Sequence, residues 1–237
     1  MPFWFLFDPL YLLLTGIGLA VTLWAQFKVK SSFKRYARVG VRTGLSGAEA
    51  AQAVCRAGNV HDVKIERHQG FLSDHYDPRA KTLRLSPEVY DGRSISSIAV
   101  AAHEAGHSIQ DVTAYPLLGF RSAIVPMANL GSRLWVLPFI IGAFMAGANP
   151  AISRGLMMLG ILLFAGVVLF QLVTLPVEYD ASRRAKAVLA QTGIVQTQEE
   201  AQGVSKVLDA AALTYVAAAL AGVLQLLYLI LRMQQRN

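Results

Sequence analysis

Four stretches of this 237-residue chain, residues 9–27, 134–153, 155–177 and 210–231, contain no charged residue. A helix of about 20 apolar residues crosses the hydrocarbon core of a bilayer, so each stretch predicts a membrane span. Pro138 and Pro150 interrupt the second. Residues 122–132 are apolar but short, bracketed by Arg121 and Arg133 and broken by Pro126; they predict an interfacial lead-in rather than a fifth span. Between the first two spans the pattern turns polar. Ser46-Gly-Ala-Glu49 is a capping box opening an Ala-rich helix that ends near Gly58. Residues 63–66, 71–76 and 82–86 predict short strands, with a turn at 77–81 between the last two. Ser94 is a suitable N-cap for a helix running to about Gln110.

Composition sharpens this picture. Hydrophobic residues make up 54% and charged residues 16%, where an ordinary soluble domain carries about 25% charged. With a mean hydropathy of +0.42, disorder is excluded, and a globule of this size could not hide so much apolar surface from water. The surplus must face lipid.

The net charge of +7 is concentrated where it has a topological meaning. Lys28, Lys30, Lys34, Arg35, Arg38 and Arg42 follow the first apolar stretch, with no acid among them. By the positive-inside rule, residues 28 onward lie in the cytoplasm and both termini outside. A cleaved signal peptide places its positive charge before the apolar core, which is not the order here. No basic-plus-aromatic motif accompanies the cluster, so nucleic acid is not an expected partner. Cys55 is the only cysteine, which excludes an intrachain disulfide and an all-cysteine metal cage.

Inside the helix expected from Ser94 stands His103-Glu104-Ala105-Gly106-His107, an H-E-x-x-H. Histidines at i and i+4 project from one helical face, so both imidazoles can reach one zinc ion, and Glu104 is placed to deprotonate a water on it. With 5 His and 7 Glu in the chain, about 0.003 chance matches are expected, so coincidence is a poor explanation. A catalytic zinc takes three protein ligands and keeps one open position. The other histidines, His61, His68 and His75, all precede the motif, and the downstream candidates are carboxylates. Glu178, in Pro176-Val-Glu-Tyr-Asp-Ala-Ser-Arg-Arg184, emerges where the third span ends. The dipole of a helix opened by Pro176 would by itself favour an acid there. Topology adds a reason: two spans separate His107 from Glu178, which returns the chain to the same face. Asp180, two residues on, points to the other side of a helix.

The run Gly70–Pro78, the strand Leu83-Arg-Leu-Ser86, Ala101-Ala-His-Glu-Ala-Gly-His107 and Pro176-Val-Glu-Tyr-Asp-Ala-Ser182 together resemble the YugP-type membrane zinc metallopeptidases of bacteria over nearly the whole chain. More distantly the chain is similar to HtpX and CAAX-prenyl-type membrane proteases. The resemblance implies one zinc per chain at His103, His107 and Glu178, with Glu104 as catalytic base. It also implies that an extended substrate lies against an edge strand near 82–86. The distant relatives often carry an Asp four residues after the ligand Glu. Here that position is Ser182, so the supporting carboxylate must come from elsewhere or be missing. His75 and Tyr76 are candidate oxyanion donors, though ordinary polar strand positions explain them as well, and membrane-surface charge accounts for Arg183 and Arg184.

The expected fold is therefore an α-helical multi-pass membrane protein of about four spans with a small α+β, zincin-like cytoplasmic domain. The expected divisions are a first span (1–27), the α+β domain (28–115), an interfacial segment and transmembrane hairpin (116–177), a helical segment with the third ligand (178–209), and a last span and tail (210–237). The expected function is zinc-dependent endoproteolysis of membrane-associated protein or peptide substrates, at the cytoplasmic surface of the bacterial inner membrane. Cleavage within the bilayer is one alternative; Ser94, Ser96, Ser97, Ser108, Gln110 and Asp111 weigh against it as too polar to face lipid. A metal-binding scaffold without catalysis is the other; intact Glu104 weighs against that.

Overall fold

The computed structural model describes residues 8–70 and 73–235. Along them run α1 (Pro9–Tyr36), α2 (Gly47–Ala57), β1 (Lys64–Arg67), β2 (His75–Asp77), β3 (Thr82–Leu85), α3 (Pro87–Tyr90), α4 (Ile95–Val112), α5 (Pro116–Leu134), α6 (Val136–Met145), α7 (Pro150–Gln191) and α8 (Gln198–Gln234). The chain forms two compact units. One comprises Ala25–Gly119 and Pro176–Leu213; the other comprises α1 up to Trp24, Phe120–Leu175, and α8 from Thr214 onward.

In the first unit, local signals start the helices. The Ser46 side chain accepts from the Glu49 N–H, and the Glu49 carboxylate accepts from the Ser46 N–H at 2.7 Å, satisfying two donors that the first turn of α2 would leave bare. Ser94 caps α4 by accepting from the Ser97 N–H at 3.2 Å. Ala99, Ala101, Ala102 and Ala105 on α4 have no exposed surface, and such small side chains let neighbouring elements pack close around this helix. One of those neighbours is α2, where a Cβ on Gly58 would strike the Ile109 side chain of α4.

The sheet has the order β1-β3-β2, with β1 parallel and β2 antiparallel to β3. Leu83 and Leu85 point inward and are fully buried, while Arg84 between them turns outward to Asp77 at 3.0 Å. This corrects the expected edge at 82–86: β3 is the central strand, paired on both sides, and the free edges belong to β1 and β2. The first two residues of the expected strand 71–76 lie outside the described residues; the paired part is His75–Asp77.

The other unit is helical. Among the described residues α1, α7 and α8 are long and apolar enough to cross a membrane, and the pair α5 and α6, bent by 42°, makes a fourth if counted as one span. The lead-in expected at 122–132 is instead part of continuous α5, which accommodates Pro126 in its interior. The break falls at Trp135, between α5 and α6. The expected second span, 134–153, is divided at Pro150 as the pattern suggested, since α6 ends at Met145 and α7 opens at Pro150, but not at Pro138, which α6 contains. Each lies in the first turn of its helix, where a missing N–H leaves no bond unmade. Small residues bring these helices together: a Cβ on Gly142 would meet the Ser153 carbonyl, and one on Gly160 the Trp135 carbonyl.

Helix α7 runs through Pro176 without stopping. The expected helix opening at Pro176 is therefore absent, and with it the dipole explanation for Glu178, which sits deep within a 42-residue helix rather than in a first turn. After α7 the chain reverses through Gly193, whose φ of +66° favours glycine, into α8, where Thr197 and Glu200 form a second capping pair.

Candidate metal centre

The centre lies where α4 crosses α7. Gly106 faces Ala181 so closely that a Cβ there would be 2.5 Å from the Ala181 carbonyl oxygen. Around that crossing, Glu178, Ala181, Ser182 and Ala185 form one buried face of α7 at spacings of three and four residues. His103 and His107 stand one turn apart on α4, their rings 4.8 Å apart and nearly perpendicular.

Glu178, only 2% exposed, places Oε2 at 3.1 Å from His103 Nε2 and 3.6 Å from His107 Nε2. One ligand-type atom from each of the three residues falls within 4.8 Å of the others, the only such cluster of His, Cys, Asp or Glu among the described residues. His61, His68 and His75 are not part of it. Asp180 is buried but turned away from the imidazoles, toward Gln110 and Arg184.

The outer ring nitrogens are also engaged. His103 Nδ1 lies 3.0 Å from Ser182 Oγ, and His107 Nδ1 lies 2.9 Å from Gln110 Oε1. With serine at 182, where the distant relatives often carry Asp, a supporting carboxylate was expected to come from elsewhere or be missing. The structure shows that the serine hydroxyl itself reaches the imidazole, and that the second imidazole uses a group from its own helix. Burial opposes a proton on His107, but Glu178 and Glu104 attract one, and the balance holds its pKa above the ordinary histidine value. A buried anion between two imidazoles is a site for positive charge.

Glu104 is buried in the same helix turn, and Asp74 is its acidic neighbour. Asp74 accepts the Ser86 N–H at 2.7 Å and the Ser86 hydroxyl at 3.0 Å. Burial pushes its pKa up, the bonds from Ser86 pull it down, and the charge of Glu104 adds to the rise. Both candidate oxyanion donors have partners elsewhere. The Tyr76 hydroxyl donates to Asp111 at 2.6 Å, and His75 sits with Nδ1 at 2.8 Å from the Ser73 carbonyl and Nε2 near Arg84.

Residues 11–234 match the family described as "Putative neutral zinc metallopeptidase". The chain belongs to this zinc metallopeptidase family. Among its relatives is the "Putative membrane protease YugP" of Bacillus subtilis (strain 168), 46% identical over 218 residues, covering 92% of this chain and 94% of the relative. No solved structure matches.

The donor set fits the zinc that the family implies. Two imidazole nitrogens and one carboxylate oxygen are the ligand types of a catalytic zinc site. Both imidazoles present Nε2 inward while Nδ1 is held by an oxygen, the arrangement that orients histidine ligands in zinc proteins.

Proposed function

We propose that this zinc metallopeptidase is a membrane-embedded endopeptidase that holds one zinc per chain with His103, His107 and Glu178 and uses Glu104 as its base. The observation that carries this reading is the convergence of the two motif histidines with Glu178, 71 positions downstream of the second, at one buried point beside Glu104. Zinc, when bound, supplies a Lewis acid that acidifies water and polarises a peptide carbonyl. Glu104 takes the proton from the attacking water and delivers it to the leaving amine, so its carboxylate must be free to shuttle between two protonation states. Burial beside Asp74 shields that exchange from bulk water. Glu178 supplies the third ligand from a different helix, so the site exists only when α4 and α7 are packed.

The site faces the cytoplasm at the membrane surface, with residues 28–115 and 178–209 on one side of the bilayer. The expected polarity argument against cleavage within the bilayer changes its basis. Ser94, Ser96, Ser97, Ser108 and Gln110 are buried within the protein, so their polarity does not bear on lipid. The support comes instead from the exposed charges of β1 and its surroundings, Lys64, Glu66 and Arg67, which need water. Substrates are protein or peptide segments tethered near the membrane.

The test separates metal from base. His103→Ala or His107→Ala should abolish zinc in elemental analysis of the purified protein. Glu104→Gln should keep zinc while cleavage of an unstructured, membrane-tethered substrate falls by about 100-fold or more. Full zinc in either histidine variant, or normal cleavage by Glu104→Gln, refutes the assignment.

A further inference from the structure

Gln110 lies three residues beyond His107, is fully buried, and is not one of the proposed ligands. Its Nε2 donates to two oxygens that can only accept: the Val177 carbonyl at 2.8 Å and Oδ2 of Asp180 at 2.9 Å. Reversing the amide would press its carbonyl oxygen against both, leaving buried acceptors facing one another, so a single orientation is stable. In that orientation Oε1 faces His107 Nδ1 at 2.9 Å. A carbonyl oxygen cannot donate. Nδ1 therefore carries the proton, and for a neutral ring the lone pair is left on Nε2, the nitrogen that faces Glu178.

The other imidazole is not held this way. Ser182 Oγ beside His103 can rotate to donate or accept, so it supports the ring without dictating a tautomer. The Gln110 amide is directional, and its direction is anchored in turn. Asp180 is gripped by Arg184 Nε at 2.5 Å and by Arg183. The chain of fixed polarity runs from Arg184 through Asp180 and Gln110 to His107.

We propose that Gln110 is a positioning residue that locks His107 in its Nδ1–H tautomer and presents Nε2 to the metal, with Asp180 and the Val177 carbonyl fixing the amide. This rests on the zinc-site reading above. It also gives Asp180 a role that its exclusion as a ligand left open.

The test measures zinc dissociation constants of the full-length, detergent-solubilised protein by competition with a chromogenic chelator, with metal-free melting temperatures as the check on folding. Gln110→Met keeps the length of the side chain and removes the acceptor; its zinc affinity should fall by about 10- to 100-fold. The protonated nitrogen is read by ¹⁵N NMR of the histidine-labelled, zinc-loaded parent: His107 should bind metal through Nε2 and keep its proton on Nδ1. In Gln110→Met that proton should lose its hydrogen bond and shift upfield, which packing alone does not predict. Gln110→Met binding as tightly as the parent, or a parent His107 with the metal on Nδ1, overturns the proposal. Should Gln110→Met not fold, the parent spectrum decides: a hydrogen-bonded Nδ1–H supports the lock, and its absence refutes it. A parent that binds no zinc overturns both this and the zinc-site reading, whereas a zinc-binding parent with an unaffected variant overturns the tautomer lock alone.

Discussion

Replacing Gly106 with alanine tests whether the crossing of α4 and α7 sets the metal site. The added methyl carbon would lie 2.5 Å from the Ala181 carbonyl oxygen, 3.1 Å from its carbonyl carbon and 3.3 Å from its Cα. All three are backbone atoms, so no side chain can swing aside. Reaching ordinary contact near 3.4 Å requires the helices to part by about 0.9 Å at this point. Two energies compete. Alanine favours a helix interior by about 1 kcal/mol over glycine, while overpacking costs about 1–3 kcal/mol. Stability of the metal-free protein should therefore change little or fall modestly. Zinc binding has no such compensation, because ligand distances tolerate only about 0.2 Å and Glu178 sits three residues from the clash. If the strain is relieved by letting α7 retreat in the metal-free protein, reclosing it on the metal costs that same 1–3 kcal/mol, or about 5- to 150-fold in zinc affinity. Chelator competition on the purified variant reads the affinity, and a melting scan without metal reads the fold. Gly119→Ala is the control, since a Cβ there meets nothing within 4 Å. A Gly106→Ala protein that melts like the parent and binds zinc as tightly refutes the idea that this close approach builds the site.

Three further predictions follow from the same geometry. Ser182→Ala should weaken zinc binding by about tenfold, and Ser182→Asp should bind at least as tightly as the parent, since a carboxylate is a stronger acceptor for His103 Nδ1–H; equal affinities across all three proteins would dismiss the contact. Asp74→Asn keeps an acceptor for Ser86 but removes a half-buried charge whose folded-state pKa is raised, so the native state holds its proton over a pH range in which the unfolded chain has lost it. The parent therefore loses stability relative to the variant as pH rises through that range, and melting scans should show Asp74→Asn ahead at neutral pH with the gap closing in acid; a constant gap at all pH values contradicts the shift. In a Cys55-free background, single cysteines near positions 60 and 190 should label from the same, cytoplasmic side of the membrane, and labelling from opposite faces would defeat the shared site.

Most of what could be read from the sequence was local, Glu178 being the exception, nominated by the two spans that separate it from His107. The caps at Ser46 and Ser94 act within three residues, and the two motif histidines within four, so adjacent residue identities suffice to see them. Pro176 misled because proline normally opens or breaks a helix, whereas here α7 continues through it. The strand 82–86 misled for a different reason: nothing in so short a run announces how many neighbours a strand will have, and only the pairing of β3 with β1 on one side and β2 on the other marks it as central.

The supports of the imidazoles were hidden by the same distinction between local and tertiary information. Ser182 is one turn beyond Glu178, and Gln110 is three residues beyond His107, so both lie on faces that helical spacing alone would nominate. The missing premise was the close approach at Gly106, which brings the Ser182 hydroxyl to one ring and Asp180 to the amide serving the other. Once α4 and α7 meet there, one buried patch of α7 supplies the candidate third ligand, the hydroxyl on His103 and the carboxylate that orients Gln110. The candidate ligand positions and their supports are then consequences of one helix crossing, and a change that moves the crossing should disturb all of them together.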